Sequence, residues 1–468
     1  MQGLGSGEER TGSIADRRGY ARNLPAYQRD RLGLFRELAR EGPAVVPCRL
    51  GNRGYLLNDP ADVEHVLRTN AAGYQRARRM VGLRPVWRGK TSLYTGTGAG
   101  QQRKRRMIQP LLHAFSSAKA HRALAGAAEA ASAIEPREEV EVAPMMRALT
   151  RRSMLDTLVE PGDGRLQDAL TESGIARKRF MERLFLSPSP WPELAPRRVN
   201  LDYLVAMRRA HGSIEAETKR RRRSGDRPVD LLSALIDARD EEGRGLSDPE
   251  IEDEVLTLAL TGFESVGEAL GWTLLLLARH PEADRRAAEE AAAWSGEEPP
   301  IAREMPYTTA VVREALRLYP PTWLSGRVAT GDDRLPSGAT IRKGERALVC
   351  AYALHRDPGF WAEPEHFRPE RFIESPDTDR PRFAYLPFGG GPRVCIGQQM
   401  ALAELVAAVA GFARARRFTP GPGSELPPRA GLTLSPAREL RLRAYERTSA
   451  PADAGRKPRS TAKPVQLR

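Results

Sequence analysis

A chain of 468 residues, 40% of them hydrophobic, can bury a large core, and its length allows two or three domains. The net charge of +14 arises from 74 Lys and Arg scattered among 60 Asp and Glu with no recognition module, which argues against a nucleic-acid-binding protein. Three cysteines make no disulfide scaffold, and the apolar run Ala269–Ala278 is far too short to span a bilayer, so a cytoplasmic protein without a membrane anchor is expected.

Residues 1–19, rich in Gly, Glu and Arg, read as a flexible N-terminus, and 448–468, rich in Pro, Ala, Ser, Lys and Arg, as a disordered basic tail. No Gly/Ser/Pro linker divides the stretch between them, so 20–447 is expected to form one large domain. Helical patterns dominate it. Short β-type runs lie near Ala44–Leu57, Ala339–Ala351 and Leu432–Ala444, the last alternating Leu440 and Leu442 with Arg441 and Arg443. The fold class is therefore mainly α with small β-sheets.

Gln101–Pro110 reads as a basic helix containing Arg103, Arg105 and Arg106, and Lys219–Arg223 as a surface helix end. Ser247-Asp248-Pro249-Glu250 has the pattern of a capping box, and it opens a helix expected to run to His280, where Pro281 follows. At ~1.5 Å per residue such a helix spans roughly 50 Å. In its middle Glu264 and Ser265 follow Gly262. Buried carboxylates are costly, so this is either a wet helix face, as Glu268 suggests, or a proton relay beside a groove opened by Gly262.

Val311–Leu318 forms a helix stopped by Pro320-Pro321, in which Glu314 and Arg317 share a face at i, i+3. Such pairs are ordinarily solvated. Further on stands Phe367-Arg368-Pro369-Glu370-Arg371-Phe372, and then the most informative stretch, Phe388-Gly389-Gly390-Gly391-Pro392-Arg393-Val394-Cys395-Ile396-Gly397. A lone cysteine is usually a small buried hydrophobe. Here, though, glycines allow a tight turn and a close approach to a flat cofactor, Arg393 adds a cation, and a helix follows at Gln398. A helix N-terminus favours a thiolate. One sulfur without a second cysteine nearby suits neither zinc nor an iron–sulfur cluster, whereas a haem iron needs a single proximal ligand.

The spacing Phe-x-x-Gly-x-Arg-x-Cys-x-Gly resembles the haem-binding loop of the cytochromes P-450. On that resemblance Cys395 is the metal ligand, Phe388, Gly391, Arg393 and Gly397 belong to the haem-binding loop, and haem b lies between this loop and the long central helix. Arg105 and Arg327 resemble propionate-binding arginines, with Gln101 where the family usually has an aromatic donor. The resemblance makes Glu264 and Ser265 the acid–alcohol pair that delivers protons during dioxygen activation, Ser265 standing where threonine is usual, with Gly262 beside them. Glu314, Arg317 and Arg371 resemble the family's buried structural ion network.

The function implied is a monooxygenase placing one oxygen atom in a hydrophobic small molecule (a terpenoid, polyketide or fatty acid), by hydroxylation in secondary metabolism. A non-catalytic haem-binding or sensor protein and a peroxide-driven enzyme of the same fold are the alternatives. No flavin or iron–sulfur module is visible, so electrons from NAD(P)H are expected to arrive through a separate ferredoxin or flavodoxin-type donor and its reductase. Arg103 and Arg106 are the first docking candidates on an otherwise monomeric protein. The substrate pocket is expected to draw on Tyr74–Thr97, Arg179–Ala206, Pro321–Ser325, Phe263 and Thr433–Ser435.

Overall fold

The short alternating runs become strands and the longer periodic ones helices. This computed structural model describes residues 20–48, 50, 53–76, 92–160, 164–186, 197–294, 301–374 and 380–447; the two terminal segments, 1–19 and 448–468, lie outside them. Strands β1 (Val45–Pro47), β2 (Gly54–Leu57), β3 (Tyr74–Arg76), β4 (Ser325–Ala329) and β5 (Arg346–Val349) form one sheet in the order β1-β2-β5-β4-β3. Its β2–β5 pair is parallel and the others antiparallel, and the β3–β4 register sets Arg76 opposite Arg327.

In a second sheet Arg441–Glu446 lies between Glu139–Glu141 and Arg416–Pro420. The expected alternation holds there. Leu440, Leu442 and Ala444 are buried, while Arg441 and Arg443 reach Glu141 and Glu139.

Helices α1 (Gly98–Ser132), α2 (Val142–Leu158), α3 (Gly164–Leu186), α4 (Arg198–Ser224), α5 (Asp248–Gly262), α6 (Glu264–Arg279), α7 (Pro306–Leu318) and α8 (Gln398–Ala415) carry most of the core. The architecture is mainly helical with small sheets. Helix α8 lies tightly on α1, because a Cβ at Gly411 would stand 2.5 Å from the Leu124 carbonyl oxygen. Beside them Trp272 stacks on Tyr319 at 3.9 Å and donates to Leu434 O at 3.0 Å, joining α6 to the Pro428–Ala430/Leu434–Pro436 hairpin. No helix of the described residues is long and apolar enough to cross a membrane.

One expectation is corrected. The run from Asp248 to His280 is two helices, α5 and α6, separated at Phe263. Hydroxyls that bond back to helical carbonyls loosen the ladder around this point: Thr257 to Asp253 O at 2.7 Å and Thr261 to Thr257 O at 2.6 Å. The Phe263 carbonyl takes the Thr150 hydroxyl from α2 at 3.0 Å as well as the Gly267 N–H. The capping box at Ser247 is present, its N–H donating to Glu250 Oε2 at 2.9 Å.

Four of the five cations at the basic end of α4 pair within the protein. Lys219 pairs with Glu215, Arg220 with Glu217 and Asp226, Arg221 with Glu217 and Asp230, and Arg222 with Asp248.

Candidate active site

The loop before α8 is shaped by hydrogen bonds within itself. Cys395 N–H donates to Phe388 O at 2.9 Å and Val394 N–H to Gly391 O at 3.0 Å, so the chain doubles back and brings Cys395 to the head of α8, with Gly397 at its N-cap. Cys395 is exposed, while Cys48 and Cys350 are buried and burial pushes both their thiols up to about 12. Burial also raises the Cys395 thiol, opposed by the Gly397 N–H and the Arg105 guanidinium. The residue is thus exposed at its surface while its thiol is surrounded by enough protein for desolvation to raise it.

The glycines serve different ends. Gly389 and Gly391 have φ of 73° and 69°, in the left-handed region. At Gly391 a Cβ would lie 1.7 Å from the Leu67 carbonyl oxygen of a π-helical turn, His65–Thr69. Close approach of the protein's own backbone therefore requires this glycine, rather than approach to a cofactor.

Arg105, on α1, donates to Val394 O at 2.8 Å and faces the sulfur; Gln101, one turn earlier, is buried. The other two arginines singled out in the sequence lie together with a third that sequence reasoning missed. Arg76 and Arg327 are directly opposite across β3 and β4, an unfavourable like-charge pair unless an anion joins them. Burial first, and then the neighbouring Arg76 and Arg393, together lower Arg327 to about 10. Burial also lowers Arg393, whose buried Nη1 has no hydrogen-bond partner. Among the described residues no carboxylate pairs with Arg76, Arg327 or Arg393. Three crowded guanidiniums near a loop bearing a reachable sulfur fit a flat cofactor with one thiolate-ligated metal and two carboxylates at its edge, which is the donor set of haem. Only their mutual register exposes the role of Arg76, and no local motif marks it.

At the helix break the two candidate relay residues are engaged separately. The buried Glu264 meets Lys178 of α3, Nζ to Oε1 2.6 Å, and Lys178 also lies 3.8 Å from Glu268. The Lys178–Glu264 contact is close but poorly aligned as a hydrogen bond, since Glu264 Oε1 has no partner by angle. Ser265 Oγ turns back toward Thr261 O at 3.4 Å, a weak contact. Arg177, next to Lys178, donates to Leu260 O at 3.1 Å, so α3 grips both sides of the break. The expected groove at Gly262 is corrected: the missing side chain faces Met154, whose Sδ would stand 2.8 Å from a Cβ there. The break at Phe263, not the glycine, interrupts the helix.

Glu314, Arg317 and Arg371 come together in the interior. Arg317 donates to Glu314 from Nε at 2.7 Å and Nη2 at 2.8 Å, and Arg371 Nε reaches Glu314 Oε1 at 3.1 Å. Arg317 also serves the carbonyls of His355, Pro364 and His366. Burial lowers His355 to about 3, so it is neutral; its Nε2 accepts the Leu386 N–H at 2.8 Å, leaving Nδ1–H for Arg317 O. This histidine ties the network to the segment entering the cysteine loop, and nothing in its sequence neighbourhood announces it.

The docking candidates differ from each other. Arg106 is exposed with a long 3.6 Å pair to Glu241, whereas Arg103 is bound to Asp240 at 2.5 Å and to the Arg244 and Gly245 carbonyls. Of the expected pocket segments, 77–91 and 187–196 lie outside the described residues. Thr322 and Ser325 line a cavity of about 30 Å³, room for one water, with Leu67, Val349 and Gly389. Phe263 packs under Gly174 of α3.

Residues 20–439 match the profile of the family described as Cytochrome P450. The chain is 33% identical over 395 residues to a cyclooctat-9-en-7-ol 5-monooxygenase of Streptomyces melanosporofaciens, spanning 82% of this chain and 84% of that protein. It is 33% identical over 420 residues to cyclooctatin synthase of the same organism, spanning 85% and 88%. Taurochenodeoxycholic 6 alpha-hydroxylase of Sus scrofa is 34% identical over 245 residues, 52% of this chain and 48% of that one.

Proposed function

This chain belongs to the cytochrome P450 family, the haem-thiolate monooxygenases, and from that premise we propose that it hydroxylates a hydrophobic small molecule in secondary metabolism, with electrons from NAD(P)H passed through a separate ferredoxin or flavodoxin-type protein. Of terpenoid, polyketide and fatty acid, the long match to a cyclooctat-9-en-7-ol 5-monooxygenase favours the first. When bound, the haem supplies dioxygen activation: two electrons and two protons release one oxygen atom as water while the other enters the substrate.

The chain's own residues do the rest. Cys395 would hold the iron; burial raises its thiol, and the Gly397 N–H and Arg105, which oppose that rise, would favour the thiolate once the iron takes it. Arg76, Arg327 and Arg393 would hold the carboxylate edge. Glu264 would hold a proton at its carboxylate, exchanged with Lys178, and Ser265 Oγ would pass it inward once it leaves Thr261 O. Glu314, Arg317 and Arg371 lock the segment below the loop and touch no reacting atom.

The observation that carries this proposal is the single reachable sulfur beside three guanidiniums lacking a carboxylate. In the test, the reduced carbon monoxide complex is expected to absorb at the red-shifted position of thiolate ligation. Cys395→Ala is expected to lose that band while Cys48→Ala and Cys350→Ala keep it. A Cys395→Ala spectrum identical to the parent's would sink the assignment.

A further inference from the structure

Charged side chains from three different elements close on the turn Ser92–Gly96. The turn is tightly self-bonded: Tyr94 and Thr95 N–H groups each donate to Ser92 Oγ at 3.2 Å, Ser92 N–H to Thr95 Oγ1 at 3.1 Å, and Gly96 N–H to Ser92 O at 2.6 Å. On one side the Leu93 N–H points between the carboxylate oxygens of Glu254 on α5, 3.0 and 3.1 Å away. On the other, Tyr94 O accepts from Arg76 Nη1 at 3.0 Å and Gly96 O from Arg393 Nη2 at 2.7 Å.

Glu254 is fully buried, a costly place for a carboxylate. Burial raises it to about 7, opposed by Lys104 and the Leu93 N–H, while Asp253 on the same helix adds to the rise. Lys104 Nζ lies 3.5 Å from Glu254 and 3.3 Å from Glu250. Well-packed apolar side chains would often stabilise such a place as well or better, so stability alone does not account for this acid.

We propose that Glu254 is a positioning residue for the haem edge: it fixes the Ser92–Gly96 turn, and the turn aims Arg76 and Arg393 at the cofactor's carboxylates. This rests on the haem-thiolate function proposed above. Because the turn is bonded to itself, it moves as a unit, and release of the Leu93 N–H shifts the Tyr94 and Gly96 carbonyls together. Arg393 Nη1 has no protein partner, so the hold on Nη2 decides where it points.

Glu254→Gln loses the charge and one of two acceptor oxygens. Two quantities test it: hydrogen–deuterium exchange at Leu93–Gly96, and the rate at which haem passes to an acceptor apoprotein. Exchange in the turn is expected to quicken, and haem loss to accelerate about tenfold, the scale of one loosened hydrogen bond to a charged group. Removing a negative charge would by itself tighten an anionic cofactor, so faster loss reports positioning. Combined with Arg393→Gln, the effects on haem loss are expected to be non-additive, since both disturb the Gly96–Arg393 contact. Unchanged exchange, unchanged haem loss or strict additivity overturns the proposal. If Glu254→Gln folds poorly, Lys104→Gln with Glu254→Gln removes the cation together with the acid and carries the same expectations. A parent without a thiolate-type spectrum would overturn the haem assignment instead, and exchange would still report the Glu254–Leu93 contact.

Discussion

Replacing Glu314 with Gln keeps the side chain's shape and removes the carboxylate that lies between two buried guanidiniums. Glu314 accepts Arg317 Nε and Nη2 at 2.7 and 2.8 Å, Arg371 Nε at 3.1 Å and the Arg368 N–H at 3.0 Å. Glutamine keeps one acceptor oxygen and turns an N–H₂ group toward a cation. Breaking a buried pair from one side costs about 3–5 kcal/mol, a large part of the roughly 5–15 kcal/mol that holds a protein folded. At roughly 1 °C per kcal/mol for a chain of this size, the midpoint is expected to fall by roughly 3–5 °C.

The control is Glu374→Gln, which breaks the exposed Arg368–Glu374 pair and is expected to cost at most about 1 kcal/mol. An apolar triple variant, Glu314→Leu with Arg317→Met and Arg371→Met, removes all three charges. It is expected to recover only part of the loss, because the His355, Pro364 and His366 carbonyls then lose Arg317 at about 1 kcal/mol each. Thermal and urea unfolding followed by circular dichroism decide the matter. Equal midpoints for Glu314→Gln and Glu374→Gln would refute the reasoning.

Arg76→Gln is expected to stabilise the haem-free protein by about 0.5 kcal/mol, through relief of the cross-strand repulsion, and to destabilise the haem-loaded one. Unfolding midpoints with and without haem check this, and the same sign in both would refute it. His355 stays neutral down to about 3 in the fold whereas the unfolded chain takes up a proton near 6.5, so stability is lost as pH falls from about 6.5 toward about 3. His355→Gln is expected to flatten that slope by one proton in urea midpoints taken at several pH values; an unaltered slope would remove His355 from the acid response. Arg106→Glu is expected to slow reduction by an acidic donor at low salt and to lose that effect at high salt, in stopped-flow measurement. Arg103→Glu is expected to lower the unfolding midpoint instead; if it slows reduction with an unchanged midpoint, the two roles are reversed.

The cysteine loop was legible in sequence because its constraints are local: the glycines, Arg393 and Cys395 lie within a single turn. The ion network was legible because each member sits in its own recognisable segment, although only packing brings Arg371 to Glu314. Arg76 was not legible, since its meaning arises from registration against Arg327 far along the chain. The break at Phe263 was hidden for a similar reason. Gly262 reads as an opening until Met154 is seen beside it, and the hydroxyls of Thr150, Thr257 and Thr261 read as ordinary polar positions until their carbonyl partners are known. Nothing in the sequence around Lys178 marks it as the partner of Glu264, since α3 meets the helix break only in the folded chain.

The contact between Gly391 and the Leu67 carbonyl bears on how the protein is made. Leu67 leaves the ribosome early and the cysteine loop near the end, and a chain grows by about 5–20 residues per second. For much of synthesis the π-helical turn therefore waits without its counterpart, and the sulfur has no seat until both are present. Cofactor capture belongs to the finished chain, and a nascent chain stalled before residue 391 is expected to hold no haem, however well its early strands have formed.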